Sequence, residues 1–224
     1  MVVSALTLTL FGRKVLVMLP GSRPRGYFLF LHGSLLSPDD YTEYLRRVAA
    51  GGYVVIAPYY TMHIFTDVGK TSRDARLILD SLKEVYGVNT GCVGGHSMGA
   101  LIALNMAEGH DCAVLLSLYL PPWMRPDSVS VPLLLISGGR DFLTPYFLHQ
   151  MPLFRKAVAD RSIIVIPEGT HNAYLNGPVW GDFMAGWPPF GQRRFYEEVA
   201  DATLRFMDRH VRVRGPAPPR VMVR

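Results

Sequence analysis

Residues 93–104 read VGGHSMGALIAL, and a single serine stands in them between two flanking glycines. An apolar run precedes Ser97, and an apolar run of small residues with helical character follows it. Gly95 and Gly99 complete the pattern G-x-S-x-G at a predicted strand-to-helix junction. A sharp turn at such a junction projects the serine hydroxyl above the edge of a sheet, beside the N-terminus of a helix. We therefore predict that Ser97 lies on a strained turn between a buried strand and a helix.

Apolar runs alternate with amphipathic segments on both sides of this stretch. Residues 3–10 and 13–20 are short alternating runs around Phe11 and Gly12, which predicts an antiparallel hairpin. Continuous apolar runs such as YFLFLHG and YVVIAP are typical of strands that are buried on both faces. The pattern predicts an α/β fold: a mostly parallel central sheet of about eight strands, an antiparallel N-terminal hairpin, and helices on both faces. In such sheets, functional groups collect at the carboxyl ends of the strands.

Two polar residues follow later predicted strands in the order that Ser97 requires. A serine hydroxyl is a weak nucleophile and needs a histidine base, which a carboxylate orients. After a turn of this kind the chain order is serine, acid, histidine. Asp141 follows the strand PLLLISGG, and His171 follows the strand SIIVIPEG. We predict a catalytic triad of Ser97, Asp141 and His171, which needs neither a metal nor an organic cofactor.

Other side chains could fill the same roles, and the spacing leaves them open. Asp141 could instead cap the helix that begins near Pro145, and His171 could be a surface loop residue. The alternative bases are His32, His63, His96 and His149, and the alternative acids are Glu168 and Asp182. His96 is disfavoured because it points away from the serine side of the turn. Glu168 is disfavoured because it precedes His171 too closely to orient it.

Two backbone amides are expected to stabilise the oxyanion that forms when the serine attacks a carbonyl group. The first is the amide of Met98, directly after the serine. The second should come from the loop after the first parallel strand, LHGSLLSP. We choose the amide of Ser34 there, with Leu35 as the second choice, because the register is uncertain by one residue. His32 is expected to brace this loop rather than to take part in the chemistry.

Positive charge is concentrated at the C-terminus. The formal net charge is +5, and residues 211–224 carry four arginines, several prolines and no acid. The rest of the chain is nearly neutral and has no aromatic stacking motif, which argues against nucleic-acid binding. The length suits one core. We predict a single domain over residues 1–210 and an extended or disordered basic tail over 211–224.

The apolar runs also bear on the environment of the protein. None of them approaches the roughly 18 uncharged residues that a membrane span needs. The N-terminus lacks the features of a secretory signal, so we expect a cytoplasmic protein. Cys92 and Cys112 each lie in an apolar strand, where a free thiol behaves as a small buried hydrophobic group. Two cysteines without further partners predict neither a disulfide framework nor a metal site.

Four motifs together resemble the α/β-hydrolase family: HG at 32–33, GHSMG at 95–99, GGRD at 138–141 and GTH at 169–171. The chain is most similar to capless serine esterases of the dienelactone-hydrolase-like, chlorophyllase-like and polyester-hydrolase-like groups, over roughly residues 1–210. The resemblance implies the α/β-hydrolase fold with the triad and oxyanion amides named above. The sequence departs from these relatives in having Tyr59 and Tyr60 after YVVIAP, and Ser34 in place of an aromatic residue. It also has a serine where a dienelactone hydrolase usually carries a cysteine.

Many members of the family insert a cap after the strand that follows the serine helix. Residues 121–131 are too short for one, so we expect no cap domain and an open site. The candidate substrate contacts, each of which could equally pack in the core, are Leu35, Tyr59, Tyr60, Tyr119, Trp123 and Trp180. The resemblance implies a carboxylesterase-type serine hydrolase that cleaves small-molecule esters through an acyl-enzyme. The alternatives are a peptidase or thioesterase with the same triad, or a non-catalytic binding module.

Overall fold

The structure, a computed structural model, describes residues 2–63, 65–124, 129–177, 179 and 194–212. The strands are β1 (Ser4–Leu10), β2 (Arg13–Leu19), β3 (Gly26–Leu31), β4 (Tyr53–Pro58), β5 (Gly91–His96), β6 (Cys112–Leu116), β7 (Leu133–Gly138) and β8 (Arg161–Ile166). The helices are α1 (Thr42–Ala50), α2 (Val68–Tyr86), α3 (Met98–Asn105), α4 (Tyr146–His149), α5 (Met151–Lys156) and α6 (Tyr196–His210). A 3₁₀ turn at Pro38–Tyr41 precedes α1.

The eight strands form one sheet in the order β1-β2-β4-β3-β5-β6-β7-β8. β1 pairs antiparallel with β2, and β2 pairs antiparallel with β4, whereas the other neighbours are parallel. Phe11 and Gly12 turn the hairpin with φ of 52° and 73°, which are the positive values that a two-residue hairpin turn requires. The predicted hairpin and the mostly parallel sheet of about eight strands are confirmed.

Helices cover both faces of the sheet and bury two apolar clusters. One cluster joins α2 and α3 to the sheet through side chains such as Ile78, Leu79 and Ile102. The other joins α1 and α6 to the opposite face through Leu45 and Phe206, among others. The strands from β3 to β7 are buried along their whole length, as their continuous apolar runs predict. β5 is the fifth of the eight strands in the sheet order, so its carboxyl end lies near the middle of that edge of the sheet.

The segment after β7 differs from its predicted form. The sequence predicts one helix over 145–160, but the structure has the two short helices α4 and α5, which meet at Gln150. Pro152 lies in the first turn of α5, where its missing N–H needs no partner. Inside a continuous helix the same proline would remove a hydrogen bond and clash with the preceding turn. The break therefore follows from one residue.

The two cysteines are joined. Cys92 and Cys112 are register partners on the neighbouring strands β5 and β6, with their Cα atoms 4.7 Å apart, and they form a disulfide. Both residues are fully buried. The expectation of two free thiols was wrong because residues 20 apart in sequence become direct neighbours once the parallel strands pair in register.

Two further expectations concern the chain as a whole. None of the helices in the described ranges is long and apolar enough to cross a membrane. Of the predicted tail, the structure describes Val211 and Arg212, and residues 213–224 lie outside the described part. Val211 is buried, 7% exposed, and packs in the α1 and α6 cluster. The core thus extends one residue beyond the predicted domain boundary at 210.

Candidate active site

Ser97 occupies a strained turn between β5 and α3. Its φ of 55° and ψ of −116° lie in a region that residues with a side chain rarely adopt, at a cost of about 1–3 kcal/mol. Hydrogen bonds hold the turn, since the Ser97 N–H donates to the Leu116 carbonyl at 2.9 Å. The Ser97 carbonyl accepts the N–H groups of Ala100 at 3.1 Å and Tyr119 at 3.3 Å. The predicted strained strand-to-helix turn is confirmed.

The two flanking glycines allow the backbone to approach itself closely. A Cβ atom on Gly95 would lie 2.5 Å from the carbonyl group of Gly99 and 2.6 Å from the Leu31 oxygen. A Cβ atom on Gly99 would overlap the carbonyl oxygens of Leu31 and His32. Because these obstacles are backbone atoms, they have no rotamer with which to move aside. Only glycine suits either position, as the motif predicts.

Asp141 and His171 form a buried pair at the carboxyl ends of β7 and β8. His171 Nδ1 lies 2.9 Å from Asp141 Oδ2, and the two residues are 5% and 3% exposed. Asp141 Oδ1 accepts the backbone N–H groups of Leu143 at 3.0 Å and Thr144 at 2.8 Å. Asp141 therefore stabilises the turn before α4 and also bonds the histidine, but it does not cap α4, whose N-cap residue is Pro145 and has no side-chain cap bond.

The surroundings of Asp141 favour its ionised form. Burial opposes ionisation, but the hydrogen bond from His171, the charge of that ring when protonated and the N–H of Thr144 outweigh it. Together they lower the pKa of Asp141 to about 2. The carboxylate is consequently charged at neutral pH and can only accept hydrogen bonds. It requires a proton on Nδ1 of His171, which leaves the lone pair on Nε2 available as a base.

Sequence reasoning missed Thr144, whose hydroxyl contacts both members of this pair. It is 2% exposed and lies 2.8 Å from Asp141 Oδ2, 3.1 Å from His171 Nδ1 and 3.1 Å from the Ser117 carbonyl. A threonine three residues after an aspartate is a local turn signal that could have indicated it. Its contacts with Ser117 and His171, however, depend on loops that are distant in sequence.

The rings of His96 and His171 bring the serine turn next to the histidine. Their centroids are 4.7 Å apart, and His96 directly precedes Ser97 in the chain. Among the described residues, no hydrogen bond joins the Ser97 hydroxyl to His171. Such a bond is often long before substrate binds. The triad of Ser97, Asp141 and His171 therefore remains a prediction, with the histidine–aspartate half already assembled.

His96 belongs to a hydrogen-bonded chain rather than to the reacting groups. It is fully buried, and its Nε2–H donates to the His171 carbonyl at 2.8 Å. Its Nδ1 therefore accepts the Tyr41 hydroxyl at 2.7 Å, and the Tyr41 oxygen accepts the Gly33 N–H at 3.1 Å. Burial, followed by repulsion from His171, lowers the pKa of His96 well below its usual value. His96 is thus neutral and connects three loops of the site.

The loop after β3 leaves one amide free near the turn. The Gly33 N–H is used by Tyr41, and the Leu35 N–H donates to the Met62 carbonyl at 3.2 Å. Within the described ranges, the amides of Ser34 and Met98 donate to no other group. Of the two choices for the second oxyanion donor, Ser34 is available and Leu35 is occupied.

His32 has the bracing role that the sequence suggested. It is fully buried, and its Nδ1–H donates to the Gly33 carbonyl at 2.8 Å. Its Nε2 accepts the Tyr60 N–H at 3.0 Å, which ties the loop after β3 to the loop after β4. Burial lowers the pKa of His32, so the ring is neutral and suited to one donor and one acceptor contact.

The remaining alternatives for the base and the acid lie elsewhere. His63 is exposed and bonds within its own loop, where the Phe65 N–H donates to its Nδ1 at 3.1 Å. His149 holds the backbone of Leu120. Glu168 is exposed, and Asp182 lies outside the described residues.

The candidate substrate contacts divide into two groups. Tyr59 donates its hydroxyl to Asp39 at 2.8 Å, and Tyr60 packs under the Arg13 guanidinium at 4.3 Å from its ring centroid. These two tyrosines are engaged in packing. Leu35 and Trp123 are 86% and 79% exposed. Tyr119 is half-buried with its ring against His149, and Trp180 lies outside the described residues.

Comparison with known proteins adds no family. The chain matches no protein-family model, and no curated protein is significantly similar to it. Among the described residues, no group of three or more histidine, cysteine, aspartate and glutamate side chains could hold a metal ion.

Proposed function

We propose that this protein is a serine hydrolase of the carboxylesterase type, with Ser97 as nucleophile, His171 as base and Asp141 as the residue that orients the base. The observation that carries the proposal is the buried His171–Asp141 pair beside the strained turn that presents Ser97. A partly exposed serine on a strained turn and a buried, oriented imidazole are two parts that nucleophilic catalysis requires.

The geometry supports the following reaction. The Ser97 hydroxyl attacks the ester carbonyl carbon while His171 Nε2 takes its proton, and the free amides of Met98 and Ser34 donate to the carbonyl oxygen as it becomes negative. The imidazolium then gives its proton to the departing alcohol, which leaves an acyl group on Ser97. Water attacks this acyl-enzyme in the same way and releases the acid. Asp141 stays ionised and stabilises the positively charged imidazole.

An α/β-hydrolase fold without a cap is part of the proposal. The sheet order and the position of Ser97 after β5 support it. In the described parts of the connection between β6 and β7, residues 117–124 and 129–132, there is no helix. An open site would admit esters of varied shape, and it would give water access to the acyl-enzyme.

The first test is covalent labelling with a fluorophosphonate, measured by intact mass. We expect one adduct on the parent protein and none on Ser97→Ala or His171→Ala. Ser97→Ala should lower kcat on p-nitrophenyl acetate by on the order of 10⁶-fold. Ser81→Ala is the matched control, because Ser81 lies on α2 and its hydroxyl bonds only the Leu77 carbonyl.

The outcomes separate the alternatives. An unlabelled but folded protein would overturn the proposal in favour of a non-catalytic binding module. If labelling succeeds, parallel assays with ester, thioester and aminoacyl-amide substrates distinguish an esterase from a thioesterase or peptidase. Turnover of esters in the Ser97→Ala variant at the parent rate would exclude the mechanism.

A further inference from the structure

An apolar cavity lies beside the candidate site and has no part in the chemistry described so far. Its volume is about 540 Å³. The lining comes from the segment after β6 and from α4 and α5, and it includes Leu120, Pro121, Met124, Leu148, Leu153 and Lys156. The lining is mainly aliphatic, and Lys156 can add its methylene stem while its ammonium group stays in water. Binding cavities for small organic groups have this character and this order of volume.

The cavity begins next to the serine turn. Tyr119 donates its N–H to the Ser97 carbonyl at 3.3 Å, and the following residue, Leu120, is part of the cavity wall. The opposite wall, α4, follows the loop that carries Asp141 and Thr144. The Thr144 hydroxyl is 3.1 Å from the Ser117 carbonyl, so the segments that lead into the two walls meet close to the His171–Asp141 pair.

His149 holds the walls together on the cavity side. The Leu120 N–H donates to His149 Nδ1 at 3.1 Å, and this bond connects the segment after β6 to α4. The ring of His149 also faces that of Tyr119, with centroids 5.7 Å apart. The cavity wall is thus connected to the Ser97 turn through the backbone of Tyr119 and Leu120.

We propose that this cavity binds the acyl chain of the substrate, so that the protein prefers esters of linear, uncharged aliphatic acids of medium length to acetyl esters. The inference rests on the proposed function, because the acyl group would be attached to Ser97, and the cavity wall begins at Leu120, the residue after the Tyr119 that bonds the Ser97 carbonyl. The departing alcohol has to leave toward solvent, whereas the acyl chain remains until water releases it. An aliphatic lining binds such a chain through the methylene area that it removes from water.

The experiment compares kcat/KM for p-nitrophenyl esters from acetyl to octanoyl. Burial of one methylene group contributes about 0.8 kcal/mol, so each added methylene can raise kcat/KM by at most about four-fold. We expect kcat/KM to rise by about two- to four-fold for each added methylene. Acetates of alcohols of increasing length, followed by proton release, should show no such rise.

A cavity-filling variant and a matched control locate the effect. Leu148→Trp places a larger ring at the cavity, and Leu148 is already 62% exposed, so the core is not disturbed. It should lower the octanoyl-to-acetyl ratio of kcat/KM by at least about ten-fold. Leu77→Trp, at a 57% exposed position on α2, should leave the ratio at the parent value. Lys156→Met should also retain a high ratio, because an uncharged chain needs no counter-ion.

Two kinds of failure are distinguishable. Hydrolysis of acetyl esters that depends on Ser97 would support the esterase proposal by itself. The acyl-chain assignment would then be wrong if kcat/KM did not change with acyl length, or if Leu148→Trp and Leu77→Trp had the same octanoyl-to-acetyl ratio of kcat/KM. If lengthening the alcohol raises kcat/KM instead, the cavity holds the departing group and the inference is overturned. If no ester is hydrolysed in a Ser97-dependent way, both proposals fail together.

Discussion

At the scale of single residues, Thr144 shows how a side chain outside the proposed triad can position two of its members. Its backbone N–H and its hydroxyl bond the two oxygens of the Asp141 carboxylate at 2.8 Å each. The same hydroxyl is 3.1 Å from His171 Nδ1. The carboxylate and the imidazole are therefore held in one relative orientation. We regard Thr144 as a positioning residue, since it touches the triad and not the reacting atoms.

Thr144→Val tests this role. The substitution keeps the shape and the backbone N–H but removes a hydrogen bond to a charged group, which should lower the free energy of unfolding at pH 7 by about 1.5–3 kcal/mol. We also expect kcat/KM to fall by about ten-fold, because the imidazole loses part of its orientation. Urea unfolding and ester hydrolysis measure the two effects. Thr144→Ser keeps the hydroxyl, so it should retain most of the unfolding free energy and most of kcat/KM.

The stability effect of Thr144→Val should depend on pH. In the folded protein the pKa of Asp141 is lowered to about 2, so its ionisation stabilises the fold above the unfolded-state pKa, and this contribution is lost as pH falls through the folded value. Loss of the Thr144 hydroxyl, which bonds the Asp141 carboxylate, raises the pKa of Asp141 in the folded protein toward its value in the unfolded chain. The stability difference between parent and variant should therefore be full at pH 7 and shrink below about pH 4. A difference that persists unchanged at pH 3 would assign Thr144 to packing alone.

At the scale of secondary-structure elements, one tyrosine connects loops from three strands. Tyr41, at the end of the 3₁₀ turn before α1, bonds Gly33 after β3 and His96 at the end of β5. His96 in turn bonds the backbone of His171 after β8. The amide of Ser34, the turn at Ser97 and the imidazole of His171 are adjacent to these three contacts. The buried Tyr41 hydroxyl therefore contributes, directly and through His96, to the relative positions of all three groups.

Tyr41→Phe should therefore impair activity beyond its effect on stability. It leaves the Gly33 N–H and His96 Nδ1 without a partner in the core, at a cost of about 1–3 kcal/mol for each unsatisfied group. Tyr44→Phe is a close control, because Tyr44 is also fully buried against Phe30 and its hydroxyl bonds only Thr203 at 3.1 Å. Both variants should lose stability by urea unfolding, and only Tyr41→Phe should lower kcat substantially. An equal kcat in the two variants would show that the connection is merely structural.

At the scale of the whole molecule, the disulfide joins the neighbouring strands β5 and β6 within the core. Its buried position makes it part of the fold rather than an accessible redox group. Disulfides of this kind occur mostly in oxidising compartments. The cytoplasmic location suggested by the N-terminus remains a prediction. A measurement of the oxidation state of the two cysteines bears on it directly.

The chain has two cysteines, so a thiol count tests the disulfide directly. We expect that the purified protein, unfolded without reductant, has no thiol that reacts with a chromogenic thiol reagent. After reduction it should have two. The paired substitution Cys92→Ala/Cys112→Ala should lower the free energy of unfolding by about 3 kcal/mol, as expected for a loop of this length. Two reactive thiols before reduction would show that the bond is absent in solution. An unchanged unfolding free energy would show that it does not stabilise the fold.

The periodicity of the chain was sufficient to predict the α/β architecture. Strands buried on both faces need continuous apolar runs, and helices need a pattern near 3.6 residues, so both can be recognised locally. The position of Ser97 was also predictable, because Gly95 and Gly99 are required by contacts within the same turn and with β3. His171 and Asp141 could be proposed from their places after consecutive strands, and the structure does bring these two together.

The partners that complete the site are decided only by the tertiary structure. Tyr41 and His96 are 55 residues apart, Ser117 and Thr144 are 27 apart, and the disulfide spans 20. None of these contacts has a local signal, because strand order and register decide which loops become neighbours. The cavity next to Leu120 is lined by His149 and Pro152, and the contact of His149 with Leu120 joins residues 29 apart. The amino-acid pattern alone determined the layers and the position of the Ser97 turn, whereas packing across the sheet determined what surrounds that turn.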